Sequence, residues 1–199
     1  MRTILEYWVE FYPDRSEPNA PKGWVLFYEW LDSVMGAVFV IFVAFTFLFR
    51  AVGVDGSSMV PTLIDGDWVA ISTIGFRPER GDIVVVTQPN DVHEPLIKRV
   101  IAIGGDTIDI NFFTHEVIVN GRVLVEPYIR ELTARQFDVT FPLSIPDGFV
   151  FIMGDNRNAS KDSRASGIGL IDERYILGKA QFRFYPFGDF GIYEQRLSY

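Results

Sequence analysis

Residues 33–49, SVMGAVFVIFVAFTFLF, hold no charged side chain. As a helix rising 1.5 Å per residue, this run spans about 26 Å, the short end of what crosses a hydrocarbon core. Arg50 can snorkel to the headgroups, and residues 51–54 prolong the apolar stretch. The approach, WVLFYEW at 24–30, is rich in the aromatic side chains that favour a membrane–water interface. A helix buried in a soluble core usually keeps a polar face, which this run lacks. A cleavable leader would have a basic start, a shorter apolar region and small residues at the cut. Here 32 residues of mixed charge come first and Phe49-Arg50 ends the run. The run therefore reads as a retained transmembrane anchor over 33–52, preceded by a tail at 1–32. Arg2, Arg15 and Lys22 lie on one side, and Arg50 alone precedes Arg77 on the other. The positive-inside rule thus leans towards a cytoplasmic tail and an extracytoplasmic domain.

Residues 53–199 read as a single β-rich domain, so the expected fold class is mainly β with one N-terminal transmembrane helix. DIVVVTQ at 82–88 and LIKRVIAI at 96–103 are β-branched runs bounded by turn formers. EVIVNGRVLV at 116–125 carries an Asn120-Gly121 pair, the signature of a tight type I′ hairpin. KAQFRFY at 179–185 alternates polar and aromatic residues as a half-buried strand does. Residues 171–176 alone suggest a helical turn. Residues 127–146 carry no clear period and read as an extended connection.

Charge and composition exclude several function classes. A net charge of −8 is the wrong sign for a nucleic-acid footprint, so no nucleic-acid partner is expected. The absence of cysteine removes disulfides, thiolate nucleophiles and cysteine zinc sites. The two histidines, His93 and His115, sit in different segments, which argues against a multi-imidazole metal site and disfavours a serine–histidine–aspartate triad. No metal and no cofactor are expected.

Three clusters carry candidate chemistry. Gly56-Ser57-Ser58-Met59-Val60-Pro61-Thr62 follows the anchor, and taken alone it is an ordinary loop. Ile97-Lys98-Arg99-Val100-Ile101 sets a lysine in an apolar strand, where lysine normally points to solvent. Gly154-Asp155-Asn156-Arg157-Asn158-Ala159-Ser160-Lys161-Asp162-Ser163-Arg164 could pass for a polar surface turn. A serine hydroxyl needs a neighbouring base to become a nucleophile. Lysine serves only when neutral, which requires burial to lower its pKa from about 10.4. Leu96, Ile97, Val100 and Ile101 supply a suitable apolar setting.

In this order and spacing, with Lys98 lying 40 positions after Ser58 (98 − 58), the three clusters resemble the type I signal peptidase family in its short, single-anchor bacterial form. Gly66-Asp67-Trp68-Val69 and Arg80-Gly81-Asp82-Ile83-Val84 are similar to strand motifs of the same family, and the resemblance runs from the anchor to about Ala180. It implies a membrane-bound serine endopeptidase that removes leader peptides through an acyl-enzyme, with Ser58 as nucleophile and Lys98 as general base. It further implies that the Ser58 N–H is an oxyanion donor, that Ser160 positions the lysine, and that Asp162 and Arg164 form a supporting ion pair. Gly56, Ser57, Met59, Pro61, Arg99, Asp155 and Asn156 fall in the matching motifs as oxyanion or supporting positions. Gly56 stands where some members place a serine that donates a second oxyanion hydrogen bond. Gly104-Gly105-Asp106 and Asn158-Ala159 also depart from the commoner family pattern. The implied partners are secretory preproteins with small residues one and three positions before the cut, the lipid bilayer and the protein-export machinery. The implied location is the bacterial cell membrane, single-pass. The competing readings are a self-cleaving repressor-like Ser–Lys protease, which the anchor disfavours, and a catalytically silent leader-peptide-binding module.

Overall fold

The apolar run folds as part of one helix, α1 (Lys22–Phe47), in a computed structural model that describes residues 22–47, 49–73, 75–89 and 95–187. Most of the tail at 1–32, His93 and residues 188–199 lie outside the described residues. Between Leu26 and Val43 the helix is long and apolar enough to cross a membrane, and Leu26, Trp30, Phe39, Ile41 and Phe42 stand exposed along it. The hydroxyls of Ser33 and Thr46 donate to the carbonyls of Glu29 and Phe42 four residues back, so these polar groups are satisfied within the helix.

The chain from 48 onward forms a separate compact unit. It begins with β1 (Phe49–Gly53), so the last residues counted with the anchor are strand and not helix. Their backbone groups pair antiparallel with β2 (Trp68–Ser72), from Phe49 opposite Ser72 to Gly53 opposite Trp68. Then follow β3 (Ile83–Val86), β4 (Leu96–Ile103), β5 (Thr107–Asn111), β6 (Glu116–Val119) and β7 (Arg122–Val123). After these come β8 (Leu143–Ser144), β9 (Phe149–Met153), β10 (Ile171–Asp172) and β11 (Ile176–Tyr185). Seven strands make one sheet in the order β1-β2-β11-β3-β4-β9-β10, and four make a second in the order β7-β6-β5-β8. The long β11 lies between β2 and β3, with register shifts along both pairings. Such bulges bend a strand and raise its twist, which curls the larger sheet.

The unbroken apolar run of β3 has a simple cause. Ile83 and Val85 pack in one buried cluster with Val54, Met59, Leu63, Val69 and Ile71, while Val84 and Val86 pack in another with Val100, Val150, Ile152 and Ile171. Successive strand residues face opposite ways, so a strand covered on both sides must be apolar throughout. β4 is covered along almost its whole length for the same reason. A third cluster, built around Ile101, Ile108, Ile110, Val117, Val119, Phe151 and Met153, joins the two sheets.

The Asn120-Gly121 pair makes the expected two-residue turn between β6 and β7, with φ of 52° and 76°, both in the region that a type I′ turn requires. At 171–176 the helical expectation is met only by a single 3-10 turn, Glu173–Tyr175, capped by the Asp172 carboxylate, since residues 171 and 172 are strand. The connection at 127–146 runs back across the 154–166 loop. Arg130 N–H donates to Asp155 O and Val139 N–H to Arg164 O, while the Asn158 side chain accepts from the N–H groups of Ala134 and Arg135.

Candidate active site

Lysine in a strand ordinarily reaches solvent, but Lys98 is 3% exposed because both faces of β4 are covered. Its Nζ lies 2.8 Å from Ser58 Oγ and donates to Ile97 O at 3.0 Å. No carboxylate lies at ion-pair distance from it among the described residues. Desolvation by burial pulls its pKa from 10.5 down to about 8, against the opposing pull of the Asp162 and Asp155 charges. Lys179 shows the contrast: on the same sheet it pairs with Asp82 at 2.9 Å.

Ser58 sits in the turn that follows β1. Val54 N–H donates to Asp67 O and Gly66 N–H to Val54 O, which closes the base of the turn. Gly56, at φ +86°, donates its N–H to Asp65 Oδ1 and starts the reversal. Met59, 1% exposed, and Leu63, fully buried, plug the turn into the core. Ser57 and Pro61 are exposed, and the Val60–Pro61 peptide is cis. The N–H of Ser58 has no acceptor among the described residues, which leaves a donor beside Oγ.

The third cluster is held against this turn by register. Arg99 faces Met153 across β4 and β9, so the chain leaving β9 carries Asp155 alongside Arg99. Arg99 binds both carboxylate oxygens of Asp155, at 2.8 and 2.7 Å, and donates to Gly81 O at 2.8 Å. Thr62 donates its hydroxyl to the same carboxylate. Asn156 ties the serine turn down, giving its N–H to Ser58 O at 3.0 Å and its side-chain amide to Ser57 O at 3.0 Å. Asp162 receives Arg164 Nε and Nη2 at 2.8 and 2.9 Å, and the Gly154 N–H at 3.0 Å. Asp155, Arg164, Asp162 and Ser160 are all fully buried.

Ser160 Oγ has no hydrogen-bond partner among the described residues, and no bond joins it to Lys98. Its place is set by Gly154. A Cβ on Gly154 would lie 2.4 Å from Ser160 Oγ and 2.5 Å from Ser58 O, so only glycine lets the loop and the serine turn approach this closely.

Ser58, Lys98, Arg99, Asp155, Asn156, Ser160, Asp162 and Arg164 thus come together from three separate stretches of chain. Reading the motifs gave no role to Thr62, which completes the shell of Asp155, or to Gly154. It also passed over Glu126, Tyr128 and Thr133, which reach the loop from the aperiodic connection. A polar Glu-x-Tyr just past a hairpin was the only available signal, and it resembles any solvated loop.

The family model described as signal peptidase, peptidase S26, matches residues 27–185. The chain belongs to the signal peptidase family. It is 38% identical over 181 residues to signal peptidase IB of Staphylococcus aureus, covering 81% of this chain and 91% of the relative. It is 37% identical over 173 residues to signal peptidase I of Bacillus licheniformis, covering 81% and 90%. A solved signal peptidase I from Enterococcus faecalis aligns with TM-score 0.44 and 26% identity, over 52% of this chain and 97% of that one. The family model and the two sequence relatives make this signal peptidase a serine endopeptidase whose reaction is the removal of signal peptides.

Proposed function

We propose that Ser58 is the nucleophile and Lys98 the general base of this signal peptidase. The observation that carries the reading is the 2.8 Å approach of Lys98 Nζ to Ser58 Oγ, made by a buried lysine without an ion-pair partner among the described residues. With a pKa of about 8, roughly a tenth of Lys98 is neutral at pH 7. In the protonated form the ammonium donates to Oγ, and in the neutral form the nitrogen lone pair can accept the Ser58 proton.

The reaction then runs in two halves. Ser58 Oγ attacks the scissile carbonyl carbon while its proton passes to Lys98 Nζ. The negative charge gathers on the carbonyl oxygen, towards which the Ser58 N–H is the available donor. Collapse breaks the C–N bond, and Lys98 returns the proton to the departing amine of the mature protein. Water attacks the remaining ester, giving its proton to Lys98, and release of the leader carboxylate restores Ser58. Ser160, with a buried unpaired hydroxyl beside the Ser58 carbonyl, is the residue available to orient the lysine. The Arg99–Asp155 and Arg164–Asp162 pairs hold the loop and offset two carboxylate charges that would otherwise keep Lys98 protonated.

We further assign α1 as the membrane anchor, the N-terminal tail to the cytoplasmic side and the β-rich unit to the extracytoplasmic side. Exported preproteins at the bilayer surface are the substrates, and the export machinery is the neighbour from which they arrive. The apolar helix and the basic residues of the tail support that orientation.

The test is cleavage of a preprotein bearing a leader by the detergent-purified chain and by its Ser58→Ala and Lys98→Ala variants. Either substitution is expected to lower kcat at least about 10⁴-fold with substrate still bound. A variant that cuts at a tenth of the wild-type rate or better would remove that residue from the pair.

A further inference from the structure

Glu126 and Tyr128 belong to none of the motifs, yet they grip the 154–158 turn from behind. Tyr128 is 5% exposed, and its ring lies 4.1 Å from the Arg99 guanidinium and 5.9 Å from that of Arg157. Its hydroxyl donates to Glu126 Oε1 at 2.8 Å. Glu126 in turn receives Arg157 through both carboxylate oxygens, at 2.6 and 2.7 Å. Arg157 is fully buried, and it also donates to Gly154 O at 3.2 Å and to Thr133 Oγ1 at 2.9 Å. Burial first, and the Glu126 carboxylate next, push the phenol pKa well above its ordinary value, so the hydroxyl remains a donor. A ring set against two guanidinium groups is a strong cation–π arrangement, because both cations are desolvated.

We propose that Tyr128, braced by Glu126 and Arg157, is a positioning residue whose ring holds the Arg99 guanidinium on Asp155 and so sets the charge balance around Lys98. The inference rests on the reading of Ser58 and Lys98 as the catalytic pair. Arg99 follows Lys98 in β4, and its planar fork meets both oxygens of Asp155 while its face lies against the ring. An Arg99 free to turn leaves Asp155 partly uncompensated, and a bare carboxylate there favours the protonated lysine, which cannot act as base. The other charged groups around Lys98 are Asp162 with Arg164 from the same loop, and Asp82, just before β3, with Lys179 on β11. None of these is in ring contact with Tyr128.

The experiment is the pH profile of kcat for a leader-junction peptide with alanine one and three residues before the cut, using the full chain in detergent. Tyr128→Leu is expected to move the midpoint of the acidic limb upward by about 0.5–1 pH unit. Its kcat should fall severalfold at pH 7 and recover towards the wild-type plateau at high pH, with KM nearly unchanged. Tyr128→Phe keeps the ring and is expected to hold the wild-type midpoint, with a modestly lower rate. A residue that served only to stabilise the fold would lower the active fraction and leave the midpoint in place, and that result for Tyr128→Leu would overturn the proposal. If Tyr128→Leu does not fold, Arg99→Lys reads the same contact, since it keeps a cation near Asp155 but loses the flat face. An upward shift in Arg99→Lys supports the proposal and an unmoved midpoint refutes it. Retained cleavage by Lys98→Ala is a separate result, which would sink the reading of the catalytic pair whatever Tyr128 does.

Discussion

The two sheets share a core cluster but differ in what else they bury. In the four-stranded sheet the rule is simple: Ile108, Ile110, Val117 and Val119 turn inward, and the residues between them are half-buried or exposed. Around β4 and β9 of the larger sheet the interior instead holds Lys98, Arg99, Asp155, Asn156, Arg157, Ser160, Asp162 and Arg164. Burying charge costs several kcal/mol per ion unless partners make up the loss. Each arginine of this group has a carboxylate across from it, whereas Lys98 has only a serine hydroxyl and a carbonyl among the described residues. The exception to pairing is therefore the group proposed as the general base. One region spends its interior on stability, and the other gives up some stability to keep a lysine deprotonable.

The comparison is tested most severely at Gly154. Alanine there would drive a methyl into the Ser160 side chain and the Ser58 carbonyl, and the carbonyl cannot retreat without moving the serine turn. A displacement of about 1 Å at a reacting group costs on the order of 100-fold, so kcat of Gly154→Ala is expected to fall by about that factor. Equal kcat in the two proteins would mean that the close approach is not needed. In the other sheet the expected damage has the opposite character. Ile108→Ala should cost about 2–5 kcal/mol in urea unfolding, while the folded protein keeps its pH midpoint. A shifted midpoint would show that the two regions are not separable.

Lys98 itself yields the next effect. Its pKa in the folded protein is about 8, below the value of 10.5 it has when exposed. Between those pH values the unfolded chain binds more protons, so stability rises with pH across that window, and the full cost is felt below about pH 8. Lys98→Met, inactive by the mechanism proposed, is therefore expected to be more stable than wild type at pH 7 by about 1–3 kcal/mol. The gap should narrow as pH approaches 10.5. Thermal unfolding that gave the same gap at both pH values would argue that the lysine is not held near neutrality.

The parts of this design legible in the sequence are those written in local pattern. LIKRVIAI coincides with β4, and Asn120-Gly121 announces its turn, because periodicity and turn chemistry act over a few residues. The 40-residue spacing from Ser58 to Lys98 was readable only through family resemblance, since nothing local says that the turn after β1 meets β4. Residues 49–52 read as anchor because Ala51 and Val52 are as apolar as the helix before them, whereas pairing with β2 decides their state. Glu126 and the connection at 127–146 are illegible for a deeper reason. Their Glu, Tyr and Thr make sense only against Arg99 and Arg157, which other stretches of the chain supply.

The smallest effect is expected at a second glycine. Gly121 has nothing within 4 Å of where a Cβ would stand, so Gly121→Ala meets no steric obstacle. Its φ of +76° is nonetheless a conformation that alanine adopts at a cost of about 1 kcal/mol. The variant should lose about that much stability, with kcat and the pH midpoint unmoved, since the β6–β7 hairpin contributes no group to the catalytic cluster. Set beside Gly154→Ala, this separates two reasons for glycine: a backbone shape that costs stability wherever it occurs, and a close approach that costs activity only where the Ser58 turn and the loop after β9 meet. A matching loss of kcat in Gly121→Ala would show the smaller sheet to be coupled to the site and would dissolve the distinction between the two regions.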